Sequence, residues 1–298
     1  MDSFYIKGNN KFSGSITVSG AKNAVLPIMT ACLIYPGKYK LNNVPNLADT
    51  RTMIKLLEII GCETNYDEGT LYIDSNNCDN PNAPYGLVKT MRASFYVLGP
   101  LISRFSYSKV SLPGGCAWGP RPVDFHIKAL REMSVDVKLK GGNIVAKGQP
   151  EGSEITFSKK SVGATGNIIM AATRAKGTTI INNSSLEPEI QSLGEFLQKI
   201  GVEIEGLGTD QVIVTPSNHI SVDQVEYDII PDRIEAGTFL IAAAAIGGDN
   251  LQDLKAGHIL GATPWKQQVM QIVGTLAAAV VLGLVLDILH TAYTIGSP

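Results

Sequence analysis

Residues 163–206 read GATGNIIMAATRAKGTTIINNSSLEPEIQSLGEFLQKIGVEIEG, and this stretch decides the fold. It opens with small and apolar residues that favour a buried helix, passes through a β-rich piece and continues into a second helix. In that second helix Ile190, Leu193 and Leu197 recur at the spacing of an amphipathic helix. Gly201 follows where a helix commonly ends on a left-handed residue. The stretch therefore predicts a helix–strand–helix–strand unit.

The same pattern occurs along most of the chain. Segments of small residues, each at the start of an apolar helix, begin at Gly20, Arg92, Gly163 and Arg233. Successive starts are separated by 72, 71 and 70 residues. After each of the first three comes a second helix, and Gly61 ends one of these as Gly201 ends another. Three copies at a steady period predict an α/β domain with threefold pseudo-symmetry over residues 22–228. A fourth copy begins at Arg233, and the match to the unit ends after Leu260.

The composition is that of a glycine-rich globular protein. The 298 residues include 25 Lys and Arg against 27 Asp and Glu, for a formal net charge of −2. Nucleic-acid-binding proteins usually carry a basic excess or a basic stripe, so nucleic acid is not an expected partner. The N-terminal sequence MDSFYIKGNNKFSG has no apolar core of a signal peptide. A cytoplasmic location is therefore expected.

The four cysteines show no CxxC pair and no metal-ligand spacing, which fits a reducing compartment. Cys32 lies inside the apolar run LPIMTACLI and is predicted to be a small core residue. Cys62 and Cys78 have no cationic neighbour that would argue for reactivity, so they are predicted to be inert. Cys116 is the remaining cysteine and has a different setting.

Cys116 lies in the segment LPGGCAWGPRPVDFH, residues 112–126, where glycines and prolines predict a loop. Arg121 is close enough in sequence to favour ionisation of the thiol, and a thiol that ionises near neutral pH suits a nucleophile or a proton donor. The alternative is an inert, half-buried cysteine. The segment is the first candidate for chemistry.

Cations at the starts of helices are the second candidates. Lys22 and Arg92 each lie where a helix is predicted to begin, so side-chain charge adds to the backbone N–H groups and the helix dipole. With Arg121 they form a hypothetical anion site. Just before GATGN, a turn with two lysines could hold a diphosphate; it comprises Lys159, Lys160, Ser161 and Val162. The alternative is that these are ordinary solvated cations.

Several common cofactor sites have no counterpart in the sequence. Neither GxGxxG nor GxxxxGK[ST] occurs, so no dinucleotide or P-loop site is predicted. The four histidines, at positions 126, 219, 258 and 290, are scattered and are interpreted as structural. No metal site is predicted.

Residues 269–286, VMQIVGTLAAAVVLGLVL, form an apolar run in which only Gln271 and Thr275 are polar. A membrane-spanning helix needs roughly 20 apolar residues, so this run is marginally long enough. Two interpretations remain open: a transmembrane helix, which would make a membrane the partner of residues 269–286, and a buried core helix.

Six ordered motifs resemble one enzyme family, the UDP-N-acetylglucosamine 1-carboxyvinyltransferases among the enolpyruvyl transferases. The motifs are SGAKNAVLP (19–27), MRAS (91–94), LPGGCAWGPRPVDFHIKAL (112–130), SVGATGN (161–167), EPEI (187–190) and IIPDRIEAGTFL (229–240). The resemblance covers residue 1 to about 260. It implies two domains of inverted α/β repeats, an inside-out barrel-like arrangement with the active site between them. Residues 22–228 would form the complete domain, and residues 1–21 with 229–262 part of the second.

The resemblance also implies a reaction in peptidoglycan synthesis. The enolpyruvyl group of phosphoenolpyruvate would pass to the 3′-hydroxyl of UDP-N-acetylglucosamine with release of phosphate, and without a metal or organic cofactor. Cys116 would donate a proton to phosphoenolpyruvate and would be the target of fosfomycin. Lys22, Asn23 and Arg121 would bind phosphoenolpyruvate. The UDP-sugar site would comprise Arg92, Arg121, Pro122, Val123, Asp124, Phe125, Lys159, Lys160, Ser161 and Val162.

The chain departs from the family pattern near its end. In the family a general-base aspartate and a further arginine come after residue 260, and nothing in residues 263–298 matches their motifs. We therefore expect a truncated chain with an unrelated apolar tail and with impaired activity. The competing hypothesis is a UDP-sugar-binding protein without catalysis, tethered to a membrane by its tail.

Overall fold

The computed structural model describes residues 15–88, 91–112, 123–217 and 220–247, with backbone only for Arg92 and residues 243–247. The chain divides into two compact units, residues 1–236 and 237–298. Of the second, the structure describes residues 237–247, which are helical. The domain boundaries proposed from the sequence, at residues 22, 229 and 263, stay predictions.

Three α/β units follow one another in the first compact unit. The first contains α1 (Lys22–Ala31), β1 (Lys38–Asn42), α2 (Ala48–Ile60), β2 (Glu63–Asp67) and β3 (Thr70–Asp74). Two short elements lead to the second unit, namely β4 (Asn82–Ala83) and α3 (Tyr85–Val88). The second unit contains a 3₁₀ segment (Arg92–Val97), α4 (Leu98–Phe105), β5 (Tyr107–Ser111), α5 (Asp124–Glu132), β6 (Asp136–Lys140) and β7 (Asn143–Lys147).

The third unit begins after β8 (Glu154–Thr156). It contains α6 (Val162–Ala172), β9 (Thr179–Asn182), α7 (Pro188–Ile200), β10 (Glu203–Glu205) and β11 (Gln211–Thr215). The described chain then ends with β12 (Gln224–Asp228) and α8 (Arg233–Gly247). The order predicted from residues 163–206 is therefore the order found in all three units.

Each unit builds one four-stranded sheet. The strand that follows the first helix of a unit pairs antiparallel with the last strand of that unit, and parallel with a strand from elsewhere. In the second and third units this extra strand comes just before the unit, as β4 and β8. In the first unit it is β12, which pairs with β1 from Lys38 opposite Gln224 to Asn42 opposite Asp228. The chain after the third unit thus completes the sheet of the first.

The first helices of the units form the centre of the core. Every residue from Ala164 to Ala172 of α6 is buried, and so is every residue from Ala24 to Ala31 of α1. A helix that is apolar on all sides has to lie inside the protein. The second helices α2, α5 and α7 have one buried face and one exposed face, so they cover this centre. Cys32, at the end of α1, is fully buried, which confirms its predicted place in the core.

Small residues allow the central helices to approach closely. A Cβ atom at Gly99 would lie 2.3 Å from the backbone oxygen of Asn167, so only glycine fits where α4 crosses α6. The amide of Gly99 donates a 2.9 Å hydrogen bond to Oδ1 of Asn167, which fixes the crossing. Gly99 is therefore a packing residue of this crossing.

In the part of the chain that the structure describes, no helix combines the length and the hydropathy that a membrane crossing requires. The apolar run at residues 269–286 lies outside the described residues, so both interpretations of it stay open.

Gly61 and Gly201 end α2 and α7 in the left-handed conformation, with φ of 108° and 113°. We expect Gly61→Ala to lower the free energy of unfolding by about 1–2 kcal/mol, since an L-residue is strained there. A Cβ would also lie 3.1 Å from Cα of Cys78. Gly86→Ala is the control, because Gly86 has open space around it. Urea unfolding that shows no loss in Gly61→Ala relative to Gly86→Ala would contradict the prediction.

Candidate functional site

A cavity of about 630 Å³ lies within the first compact unit. It opens where several helices begin, so the positive ends of their dipoles lie at its wall. Its walls comprise Lys22, Asn23, Leu26, Pro27, Asp49, Ala93, Phe95, Tyr96, Val123, Phe125, His126, Lys159, Lys160, Ser161, Val162, Gly163, Asn167, Glu187, Glu189 and Arg233. Such a place favours a negatively charged ligand.

Lys22 is the first residue of α1, and its backbone N–H donates a 3.3 Å hydrogen bond to Oδ2 of Asp232. Its Nζ lies 3.5 Å from Oδ2 of Asp49, near the start of α2. The side chain of Lys22 is 43% exposed, so Asp49 orients the ammonium group while leaving it open to a ligand. Asn23 lies beside it in the wall. The structure thus brings Lys22 and Asn23 together.

The turn of residues 159–162 forms the start of α6. Oγ of Ser161 accepts a 3.4 Å hydrogen bond from the backbone N–H of Ala164, which caps the helix. Lys160 donates a 3.0 Å hydrogen bond to the backbone oxygen of Ser184 and forms an ion pair with Asp210. Lys159 takes part in no ion pair among the described residues. Of the two lysines, Lys159 therefore has the charge less neutralised by the protein.

The start of α5 contributes one wall but not all its predicted residues. Val123 and Phe125 line the cavity, and the ring of Phe125 lies 6.2 Å from that of Phe157. Asp124, predicted for the UDP-sugar site, is exposed and lines a separate shallow groove with Lys128. The structure does not bring Asp124 into the cavity.

His126 was interpreted from the sequence as a structural residue, and it forms part of the cavity wall. It is 8% exposed, and its ring meets the ring of Phe95 edge-on at 5.0 Å. A Cβ at Gly163 would lie 3.3 Å from Nε2, so glycine leaves room for the imidazole at the start of α6. The histidines at positions 219, 258 and 290 lie outside the described residues.

Sequence reasoning missed an ion pair at the edge of the cavity. Arg233, the first residue of α8, donates hydrogen bonds of 2.9 and 3.3 Å from Nε and Nη2 to the two carboxylate oxygens of Glu189. The Glu189 side chain is 5% exposed and that of Arg233 is 54% exposed. These hydrogen bonds are the main reason that the pKa of Arg233 is raised. The signal was present, because Arg233 begins a repeat just as Lys22 and Arg92 do.

Four predicted site residues have no described side chain. Cys116, Arg121 and Pro122 lie outside the described residues, and Arg92 is described by its backbone only. The backbone of Arg92 begins the 3₁₀ segment, whose residues Ala93, Phe95 and Tyr96 line the cavity. The roles of these four residues stay predictions.

Residues 6–278 match the profile of a family described as EPSP synthase (3-phosphoshikimate 1-carboxyvinyltransferase). The chain belongs to this family. A relative from Chlorobaculum parvum, named UDP-N-acetylglucosamine 1-carboxyvinyltransferase, is 47% identical over 252 residues, which are 83% of this chain and 59% of that protein. A protein of the same name from Acinetobacter baylyi is 46% identical over 250 residues, with the same coverages of 83% and 59%. The chain thus spans about three fifths of the length of these relatives.

Two solved structures show the same fold. The enolpyruvyl transferase NikO from Streptomyces tendae superposes with a TM-score of 0.69 at 21% identity, over 79% of this chain and 56% of that one. EPSP synthase from Acinetobacter baumannii superposes with a TM-score of 0.66 at 18% identity, over 80% and 54%. The predicted α/β fold of the enolpyruvyl transferases is confirmed.

The buried carboxylate of Glu189 makes its ion pair sensitive to substitution. We expect Arg233→Gln to lower the free energy of unfolding by about 2 kcal/mol, because it leaves a buried charge without its bidentate partner. Lys128→Gln is the matched control: it removes an exposed pair, 3.7 Å from Glu132, and should cost less than about 0.5 kcal/mol. Chemical unfolding of both variants provides the measurement. Equal losses would mean that Glu189 gains nothing from Arg233.

Proposed function

We propose that this chain carries the substrate-binding cavity of a UDP-N-acetylglucosamine 1-carboxyvinyltransferase. In this reaction the enolpyruvyl group of phosphoenolpyruvate is transferred to the 3′-hydroxyl of UDP-N-acetylglucosamine, and phosphate is released. The single observation that carries the proposal is the cavity at the helix starts, with Lys22, Lys159 and Arg233 in its wall. Both substrates are phosphate esters, and such a cavity is suited to them. The names of the relatives support this choice of substrates within the family.

The proposed division of the cavity follows the sequence motifs. Lys22, Asn23 and Arg121 would bind phosphoenolpyruvate and neutralise the phosphate as it leaves. The UDP-sugar would bind along the start of α6, at residues 159–162, and also contact Arg92, residues 121–123 and Phe125; Asp124, which faces the separate groove, would not take part. Exposed cations held by acidic neighbours, as Lys22 is by Asp49, lose little side-chain entropy when they meet an anion.

Cys116 is the proposed acid. Its thiol would give a proton to the methylene carbon of phosphoenolpyruvate, which makes the adjacent carbon an electrophile for the sugar hydroxyl. The same cysteine would be the residue that fosfomycin alkylates. The proposed chemistry uses no metal or organic cofactor and belongs in the cytoplasm, where both the sugar nucleotide and phosphoenolpyruvate would be available.

Phosphate release separates the two functional hypotheses. The assay combines phosphoenolpyruvate with UDP-N-acetylglucosamine and compares the chain with Cys116→Ser and with a fosfomycin-treated sample. A transferase releases phosphate, and both treatments should reduce the rate by at least about 100-fold, the usual contribution of a positioned acid. Binding of the UDP-sugar without phosphate release would instead identify a binding protein without catalysis.

Ligand binding tests the cavity independently of turnover. We expect Lys159→Gln to weaken UDP-N-acetylglucosamine about tenfold, because one charge-assisted hydrogen bond to phosphate would be lost. Lys138→Gln is the control, since Lys138 is 73% exposed, pairs with Asp136 on β6 and lies outside the cavity wall. Calorimetric titration that gives the same affinity for both variants would argue against a diphosphate at the start of α6.

A further inference from the structure

Two cysteines that the sequence analysis dismissed lie side by side. Cys62 follows the last turn of α2, and Cys78 lies in the loop between β3 and β4. Their sulfur atoms are 3.0 Å apart, both thiols are free, and each residue is 6% exposed. The expectation that neither has a cationic neighbour is wrong, because the side chain of Arg104 reaches the backbone of Cys78.

The loop that carries Cys78 is held against the end of α2. Asn80 donates hydrogen bonds from its backbone N–H to the oxygen of Ile60, at 3.2 Å, and from its side chain to the oxygen of Ile59, at 2.9 Å. Arg104 donates from Nη2 to the oxygen of Cys78 at 3.3 Å, and from Nη1 to the oxygen of Leu33 at 3.0 Å. The hydrogen bonds of Asn80 and Arg104 therefore hold the loop in the position that brings the two sulfur atoms into contact.

The surroundings make the two thiols unequal. The pKa of Cys78 is lowered, chiefly by its hydrogen bond with Cys62 and further by the charge of Arg104, while burial acts in the opposite direction. The pKa of Cys62 is raised by the same hydrogen bond and by burial. Asn77 and Asp79, on either side of Cys78, are exposed, so the loop lies at the protein surface. Cys78 is thus the thiol suited to attack a small reagent, and Cys62 the thiol suited to follow.

We propose that Cys62 and Cys78 form a redox-active dithiol that a hydroperoxide converts into a disulfide. The Cys78 thiolate attacks one oxygen of hydrogen peroxide, the O–O bond breaks, and the departing hydroxide leaves as water with a proton from solvent. The sulfur of Cys62 then attacks the resulting sulfenic acid. The S–S bond forms, and the sulfenic hydroxyl leaves as a second water with the Cys62 proton. Two thiols are oxidised and one peroxide is reduced to two waters.

The bond requires little movement. Bonded sulfur atoms lie about 2.05 Å apart, so the pair has to close by about 1 Å, which a surface loop can supply. Asp49, in the cavity wall, and Ile60 lie near opposite ends of α2, about 16 Å apart at 1.5 Å per residue, and Cys62 follows beyond Ile60. The dithiol is therefore a site of its own, and its test is independent of the proposed function.

Peptide mapping after mild peroxide treatment tests the proposal on the full chain. Cleavage by trypsin and a glutamate-specific protease places Cys62 in peptide 59–63 and Cys78 in peptide 69–89, with Cys116 in a third peptide. We expect peptides 59–63 and 69–89 to be linked after treatment and separated by dithiothreitol, while Cys32, which is fully buried, stays reduced. Both peptides recovered separately with free thiols, at a peroxide dose that oxidises glutathione, would overturn the proposal.

Variants give the matched comparison. Cys78→Ser should abolish the link, whereas Cys32→Ala removes a cysteine outside the pair and should retain it. Oxidation should also raise the melting temperature by roughly 5 °C in the unaltered chain and in Cys32→Ala, because it closes a ring between residues 62 and 78. A disulfide between Cys62 and Cys116 would overturn the assignment of Cys78 as the partner. If a variant does not fold, the peptide map of the unaltered chain decides the outcome.

Discussion

The close packing of α4 against α6 is the constraint on which the rest of the structure depends. At Gly99 the two backbones are so near that no side chain fits between them, and the amide of Gly99 is bound by Asn167. Because the helices at the centre are buried on every side, no polar face is left to point outward. The amphipathic helices and the sheets have to form around them. This arrangement places the starts of several helices around one cavity.

The cavity combines this geometry with paired charges. Lys22 is held by Asp49, Lys160 by Asp210 and Arg233 by Glu189. The acidic partners reduce the net positive charge of the site, but they also fix where each cation lies. The side chains of the three cations remain 43%, 41% and 54% exposed, so each can still meet an anionic ligand. Orientation in advance reduces the entropy that binding has to offset.

The two ends of α2 have different chemistry. Its first turn presents Asp49 to the cavity, where helix starts favour anions, and its last turn leads to the contact between Cys62 and Cys78. There Arg104 donates one hydrogen bond to the backbone oxygen of Leu33, just after α1, and another to that of Cys78 in the neighbouring loop. The pKa of Cys78 is lowered chiefly by the hydrogen bond with Cys62, and Arg104, which also binds the loop, adds to this effect through its positive charge.

The sequence by itself determined the local order of the fold. The apolar spacing of α7, the glycines that end α2 and α7, and the repeat of about 71 residues depend on neighbours a few positions apart, and all three can be read from the chain. Lys22 and the turn at residues 159–162 were found for the same reason, since a helix start has a local signature.

Only the tertiary structure decided the contacts between distant segments. The pairing of β12 with β1 joins residues about 186 positions apart, the ion pair of Arg233 with Glu189 spans 44 positions, and the two thiols are separated by 16. Periodicity carries no information about such contacts, because they depend on how closely the central helices pack and on where the loops then lie. For the same reason Asp124, next to two residues of the cavity wall, faces a different groove.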